Sequence, residues 1–546
     1  MDNTKTPTEK ISGDPPTKKP ARNRYAFACA ILASMTSVLL GYDVAVMSGA
    51  SIFIKDDLHI SDTKLEIIAG IINIYSLIGS IAAGRTSDWI GRRYTMVLAA
   101  AIFFVGAIVM GLATNYAFLM SGRFIAGIGV GYALMIAPVY TAEVAPASAR
   151  GFLTSFPEVF INGGVLLGYI SNFAFAGLPN HINWRVMFLV GAVPPVFLAA
   201  GVLILMPESP RWLVMQGRHA EAAAILSKIS DSPEEAEIRL EEIKSAAGNE
   251  ERTHGEGVWK DLLLRPTPVV RRVLVAAIGL QFFQQASGID SVVLYSPRIF
   301  EKAGIKSKNQ KLGATVAVGF TKTSFILIAT FFLDRVGRRP LLLGSAGGMI
   351  ISLLTLASAL LVIDRRAEGE ASKAAVGVSI ATVLSFVGSF SIGLGPIAWV
   401  YSSEIFPLRL RAQGASMGTA TNRVMSGVVT MTFISLYKAI SIAGSFYLYA
   451  GIALCGWVFF YVFLPETRGR SLEDMEEVFG GKGKEMKEEE VAGGVAGGED
   501  RHKNILYGYI SCTVSFLCSS ANCAEWYCGN LVGDDVGKMH LWASSD

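Results

Sequence analysis

Charge is scarce in this 546-residue chain: Asp, Glu, Lys and Arg together make up only 17% of it, against about 25% in soluble domains. That composition excludes most soluble globular classes. The charge present does not gather either. The 48 Lys plus Arg and 45 Asp plus Glu nearly cancel, and they sit in short loops rather than on one face, which removes nucleic-acid binding. Histidine and cysteine are rare, six of each. The histidines are too scattered to form a metal cluster. Cys29 and Cys455 lie in apolar stretches as packing residues, and the spacing of Cys512, Cys518, Cys523 and Cys528 fits no zinc pattern. No Asn-x-Ser/Thr acceptor occurs, and the opening "MDNTKTPTEKISGDPPTKKPARNRY" lacks the apolar core of a signal peptide, so it reads as a disordered cytosolic arm. No nucleophile and base are arranged for catalysis. "GIGVG" (127–131) lies inside an apolar helix rather than after a strand, which excludes a dinucleotide site.

What is abundant is apolar length. Hydrophobic residues make up 51% of the chain, and its 56 glycines suit close helix contacts in lipid. Twelve stretches are long enough, or nearly so, to span about 30 Å of hydrocarbon: 26–50, 65–84, 94–113, 117–140, 152–175, 186–206, 272–296, 312–333, 340–363, 375–402, 412–437 and 444–464. The polar segment 207–271 holds two helical patterns, "HAEAAAILSKI" and "PEEAEIRLEEIKSAA", rich in charge pairs at helical spacing. The even count puts both termini on one side. Arg85, Arg92, Arg93, Arg150, Arg335, Arg338, Arg339, Arg409 and Arg411 place the loops after spans two, four, eight and ten in the cytoplasm, and with them the linker and both tails. The basic loop "RIFEKAGIKSKNQK" dissents and is outweighed.

The chain also repeats. "GRTSDWIGRR" returns as "DRVGRRP", "APVYTAEVAPASARG" as "WVYSSEIFPLRLRAQG", and "MPESPRW" as "LPETRGR". Asp88 to Asp334, Glu143 to Glu404 and Glu208 to Glu466 are offsets of 246, 261 and 258 residues, one order and nearly one spacing. This is a duplication of six spans, two halves related by an axis along the membrane normal. The expected organisation is an N-terminal arm (1–24), a first half (25–206), a cytoplasmic helical linker (207–271), a second half (272–464), an end motif (465–480) and a low-complexity tail (481–546). The 14-residue apolar run at 505–518 is too short for an easy thirteenth span.

Within this apolar frame one residue is anomalous. Asp43 sits in "LLGYDVAVMSGA", and a charge at that depth costs roughly 2.5–3.5 kcal/mol on insertion scales. It needs a cation or a proton. The candidate cation is Arg123 in "SGRFIAGIGVG".

Taken together, the doubled Asp-x-x-Gly-Arg-Arg loops, "PESPRW" and "PETRGR" resemble the sugar porter branch of the major facilitator superfamily over about residues 25–480. "GYDVAVMSGA", "SFPEVFINGGVLLGY", "QQASGIDSVVLYSPRIF" and "GPIAWVYSSEIFPLRLRAQG" resemble the plant polyol/monosaccharide transporters in particular. The resemblance implies an all-α integral membrane protein of the major facilitator fold, not an enzyme. Asp43 and Arg123 match the family's proton-coupling pair, the alternative being a static ion pair that fixes packing. The charged loop residues Asp88, Arg92, Arg93, Glu143, Arg150, Asp334, Arg338, Arg339, Glu404, Arg409 and Arg411, with Glu208 and Glu466, are expected to latch the cytoplasmic side across the two halves. The alternative is that the arginines only set orientation.

For the substrate, Gln281, Gln284 and Gln285 share one face of span seven, where amides toward lipid would be costly. Trp399 follows the Gly393–Gly395–Pro396 break and suits stacking on a solute's carbon face, and Asn422 matches a hydroxyl-binding position of the family. Glu158, Asp290 and Lys322 stand where the hexose-carrier pattern has amides. The expectation is that Lys322 pairs with Asp290, Glu158 or both, and that these ions grip a flexible linear polyol. Glu158 is an alternative proton carrier. The implied activity is proton-coupled symport of linear polyols such as sorbitol, mannitol or xylitol, with monosaccharides and inositol as further candidates. A passive facilitator and a non-transporting solute sensor are the competing readings. The implied partners are the solute, protons and a lipid bilayer, with no nucleic acid, cofactor or metal. The chain is expected to work as a monomer in the plasma membrane, or alternatively the vacuolar membrane.

Overall fold

The computed structural model describes residues 23–145, 150–250, 266–365, 373–406, 410–467 and 479. The N-terminal arm before residue 23 and the tail at 481–546 lie outside the described residues, as do the expectations placed on them. Among the described residues every regular element is helical.

Among the described residues ten helical stretches are long and apolar enough to cross a membrane: Arg24–Leu58, Asp62–Ile90, Arg92–Gly111, Tyr116–Val144, Phe152–Phe175, Asn180–Leu205, Lys308–Leu333, Arg338–Asp364, Ala374–Ser402 and Ile442–Phe463. Two more polar elements complete the sequence's twelve. The seventh is Pro268–Ala286 followed by Ile289–Lys302, and the eleventh is Arg411–Ile440. These two carry Gln281, Gln284, Gln285, Asp290, Asn422 and Arg423, so their apolar average falls where the polar interior lies. Numbered in chain order, these elements are spans 1–12.

The helices outrun the apolar runs that mark them. Span 1 begins at Arg24 because the Asn23 side chain accepts the N–H groups of Tyr25 and Ala26, and it continues through Lys55, Asp56 and Asp57 to Leu58. Hydropathy ends where the hydrocarbon would end, but a helix ends where its backbone donors and acceptors find other partners. Asn115 likewise caps span 4 through the N–H of Phe118 at 2.9 Å.

The duplication has a physical device at its centre. Gly91 (φ +93°) and Gly337 (φ +104°) form the turns between spans 2 and 3 and between spans 8 and 9, a backbone region that favours glycine. A Cβ on Gly91 would come within 2.4 Å of a Glu208 carboxylate oxygen, and one on Gly337 within 3.0 Å of Glu466. Those carboxylates cap the helices that follow. Glu208 accepts from the backbone N–H of Arg92 at 2.8 Å and of Arg93 at 3.2 Å. Glu466 accepts from Arg338 at 3.0 Å and Arg339 at 2.9 Å. Tyr140 and Tyr401 then donate to the carbonyls of Pro207 and Pro465, each at 2.9 Å.

Within the first half, span 1 packs on span 5, and spans 2 and 3 pack on span 4. The halves meet through span 2 with span 11, span 5 with span 8, and span 1 with the second part of span 7. The approach of spans 1 and 5 requires glycine at 41, where a Cβ would lie 1.9 Å from the Ile161 carbonyl oxygen. Spans 7 and 10 are broken. Span 7 turns at Gly288 (φ +85°), and span 10 stops at Ile392 and restarts at Leu394. The backbone freed at the second break is satisfied internally, as lipid requires: the Leu394 N–H donates to Ser345 Oγ at 2.9 Å.

The linker forms short helices Pro210–Met215, His219–Ile229 and Pro233–Glu250. It is tied to the bundle by Trp212, whose Nε1 donates to the Asp88 carbonyl at 2.9 Å, and by two further side chains. Asn23 Nδ2 donates to the carbonyls of Lys228 and Ser230, and Arg239 donates to those of Glu143 and Ala145.

Candidate functional site

Asp43 and Arg123 meet at the centre of the first half. Arg123 Nη1 donates to Asp43 Oδ2 at 2.5 Å, with side-chain exposures of 0% and 1%. The guanidinium is held from a third helix, span 2, where its Nε donates to the Ile68 carbonyl at 2.9 Å and Nη2 to that of Ala69 at 3.2 Å. Asp43 Oδ1 is buried and has no hydrogen-bond partner among the described residues. One oxygen of this acid therefore carries the ion pair while the other is open to a proton. The pair lies behind the wall of a cavity, because Gly41, Val44 and Ala69 all line it.

That cavity sits between the halves and is lined from both. Of the eight sequence-predicted solute residues, Glu158, Gln284, Gln285, Asp290, Lys322 and Trp399 line it, and Gln281 and Asn422 stand behind. Asn422 is a hub. Its Nδ2 donates to Gln281 Oε1 at 2.8 Å and Gln284 Oε1 at 2.6 Å, and its Oδ1 accepts from Gln285 Nε2 at 3.2 Å. The glutamines also hold the second break, because Gln284 Nε2 donates to the carbonyls of Leu394 and Gly395, and Gln281 Nε2 to that of Ala398. The amide cluster thus ties span 7 to spans 10 and 11 and offers only part of its hydrogen-bonding capacity to a solute.

The ions behave differently from expectation. Among the described residues no carboxylate lies within ion-pair distance of Lys322. Its ammonium sits 6.0 Å from the Phe390 ring centroid, and the residue is 7% exposed. Glu158 accepts from Asn162 Nδ2 at 3.4 Å, and Asp290 Oδ2 accepts a short bond from Ser426 Oγ. The acids and the lysine share the cavity without closing on one another, which leaves space between them that hydroxyl groups can fill.

Arg423 also lines this space and was missed in the sequence, although it directly follows Asn422 in an otherwise weakly charged span. Its Nε and Nη2 donate to Asn422 Oδ1 at 3.1 and 2.6 Å, and Nη1 reaches Asn73 Oδ1 in the other half at 3.5 Å.

Among the described latch residues, the first half brings Arg92, Asp88 and Glu143 together. Arg92 pairs with Asp88 at 3.1 Å and with Glu143 at 3.2 Å, and Arg93 donates to the Val202 and Leu203 carbonyls. Arg339 donates to the Tyr461 carbonyl at 2.6 Å. Glu208 and Glu466 are the helix caps described above, and burial pushes the Glu208 carboxyl up from its ordinary value. Arg409 lies outside the described residues, as do the side chains of Arg150, Asp334, Glu404 and Arg411.

The halves are joined at the end away from the linker. Asp62 receives Lys55 at 2.7 Å from its own half, and from the other half Arg298 at 3.4 Å and Lys438 in a shorter contact. Among the described residues no group of three or more His, Cys, Asp or Glu could hold a metal ion.

Comparison with known proteins places this geometry. The family model described as "Sugar (and other) transporter" matches residues 29–479. Polyol transporter 5 of Arabidopsis thaliana is 66% identical over 478 residues, covering 85% of this chain and 88% of that one. Putative polyol transporter 1 of the same plant is 64% identical over 471 residues, covering 84% and 92%. The solved structure of the proton:xylose symporter XylE bound to 6-bromo-6-deoxy-D-glucose has a TM-score of 0.71 at 29% identity, covering 84% of this chain and all of that one.

Proposed function

The chain belongs to the sugar transporter family, carriers rather than enzymes, and from that premise we propose that it is a proton-coupled symporter of linear polyols such as sorbitol, mannitol and xylitol. Monosaccharides and inositol are further candidate solutes. The observation that carries the coupling is the buried Asp43–Arg123 pair with its open Oδ1, set one residue layer behind the solute cavity.

The mechanism follows from three helices. When the cavity faces outward, a proton reaches Asp43 and removes its attraction for Arg123. Arg123 stays on the Ile68 and Ala69 carbonyls, so span 1 is released from spans 2 and 4 and the two halves can rock. Facing inward, Asp43 loses the proton and the pair re-forms. Ala69 both receives Arg123 and lines the cavity, so the proton site and the solute site share a wall. Glu158 is a second candidate to carry the proton.

The driving force is adequate. One charge moved through 100 mV is worth about 2.3 kcal/mol, and each pH unit adds about 1.4 kcal/mol. At roughly 150 mV and one pH unit, one proton per solute supports accumulation on the order of a thousandfold. The arginine-rich loops support cytoplasmic termini and linker, which makes the Asp62 seal extracellular. We assign the carrier to the plasma membrane as a monomer.

The test is solute-evoked current in oocytes with sorbitol, xylitol, inositol and glucose at two external acidities. Inward current that grows with external acidity is expected. Solute uptake without current, insensitive to a protonophore, identifies a passive facilitator instead.

A further inference from the structure

The cavity's charged side chains are two acids, Glu158 and Asp290, and two bases, Lys322 and Arg423, among the described residues that line it. None is ion-paired to another there. Glu158 and Asp290 each have a neutral hydrogen-bond partner, Asn162 and Ser426. Arg423 leans on Asn422 and Asn73, also neutral, and Lys322 has no hydrogen-bond partner among the described residues. Four separated charges in a low-dielectric chamber are costly singly and tolerable only because their sum is zero. Paired, they would present nothing to a solute. Held apart, each keeps strong donors or acceptors for a hydroxyl, and with all four ionised the chamber as a whole is neutral.

We propose that these four residues form a charge-selectivity filter in which Arg423 is a specificity-determining residue: the chamber admits a neutral polyhydroxyl chain and rejects the same chain bearing an acid or an amine. An aldonate or an amino-polyol of equal length makes nearly the same hydroxyl contacts but brings one charge with no counter-charge. Removing one member changes the sum and so reverses the preference. Arg423→Gln leaves the chamber net negative and receptive to an amine. Glu158→Gln leaves it net positive and receptive to a carboxylate. Arg423→Lys preserves the sum. The inference rests on the polyol reading for its choice of solute.

The experiment is competition against sorbitol uptake by gluconate and by glucamine, which share sorbitol's six-carbon chain and differ at one end. In the native carrier both competitors are expected to be at least tenfold weaker than unlabelled sorbitol. In Arg423→Gln, glucamine should gain about tenfold and gluconate should not. In Glu158→Gln the order should invert, and Arg423→Lys should keep the native order of preference, whatever its uptake rate. A merely structural role for Arg423 would weaken all three solutes together and move no preference. If Arg423→Gln does not transport, thermal stabilisation of the purified variant by glucamine against gluconate reads the same preference. Variants that keep the native order, or shift both competitors the same way, overturn the filter. Failure of the native carrier to take up sorbitol overturns the polyol reading instead.

Discussion

Glu66 of span 2 and Ser435 of span 11 join the two halves of the bundle: the buried carboxylate accepts the Ser435 backbone N–H at 2.8 Å and its hydroxyl at 2.5 Å. With Asp62, Arg298 and Lys438 nearby, this contact closes the end of the cavity away from the linker. At the other end Arg92 pairs with Asp88 and Glu143 of its own half. Opening the bundle at this end must part Glu66 from Ser435.

Replacing Glu66 by Ala removes two charge-assisted hydrogen bonds, each worth roughly 1.5–3 kcal/mol at most. The outward-open population should rise at least tenfold. A cysteine placed at Thr430, which lines the cavity, reports this in a background without other accessible cysteines. Its labelling by an impermeant thiol reagent from outside should accelerate by about that factor. An unchanged rate would put the seal elsewhere.

Asp43→Asn keeps the shape of the acid but cannot ionise. Arg123 then stays on its two span 2 carbonyls without a counter-ion, and the proton has no carrier. Accumulation against a gradient and the solute-evoked current should both fall by more than tenfold, while exchange of labelled for unlabelled solute survives. Full uphill accumulation in this variant would refute the coupling role. A static packing role would instead show as lower thermal stability with coupling intact.

Glu208 and Glu466 do the same work 258 residues apart. Each caps the helix that follows a left-handed glycine, and loss of a capping side chain costs about 0.5–2 kcal/mol. Glu208→Ala and Glu466→Ala should lower the melting temperature of the purified carrier by similar amounts. Charge-preserving Asp, one methylene shorter, should recover part of the loss in each. A large effect at one site and none at the other would mean that the two halves do not share this device.

The span count and the duplication were legible because bilayer thickness fixes a helix's apolar length and copied loops keep their order. Helix ends were less legible. Lys55, Asp56 and Asp57 read as loop but continue span 1, since hydropathy records solvent and not hydrogen bonds. In the cavity, residue chemistry predicted which side chains gather there but not how they divide. Asn422 donates to Gln281 and Gln284, Gln281 donates to Ala398, and Lys322 stays apart from both acids. Arg423 stands outside the resemblance, which its neighbour Asn422 carries. The outer seal could not be foreseen at all. Lys438 and Asp62 are 376 residues apart, and nothing local in either segment points to the other.

Lys322 offers the sharpest separation between a chain and a ring as solute. A linear polyol loses more conformational freedom on binding than a pyranose does, so it depends more on strong anchors. Among the described residues Lys322 has no hydrogen-bond partner and its ammonium sits near the Phe390 ring, so it can turn toward a hydroxyl without breaking a bond to any of them. Lys322→Asn replaces that cation with the residue of the hexose-carrier pattern. The KM for sorbitol should rise by about tenfold or more, one lost charge-assisted hydrogen bond, while that for glucose changes by less than threefold. The ratio of the two is the informative quantity, since lower expression scales both uptakes alike. Equal loss for both solutes would show that the lysine supports the chamber's architecture and takes no part in choosing what enters it.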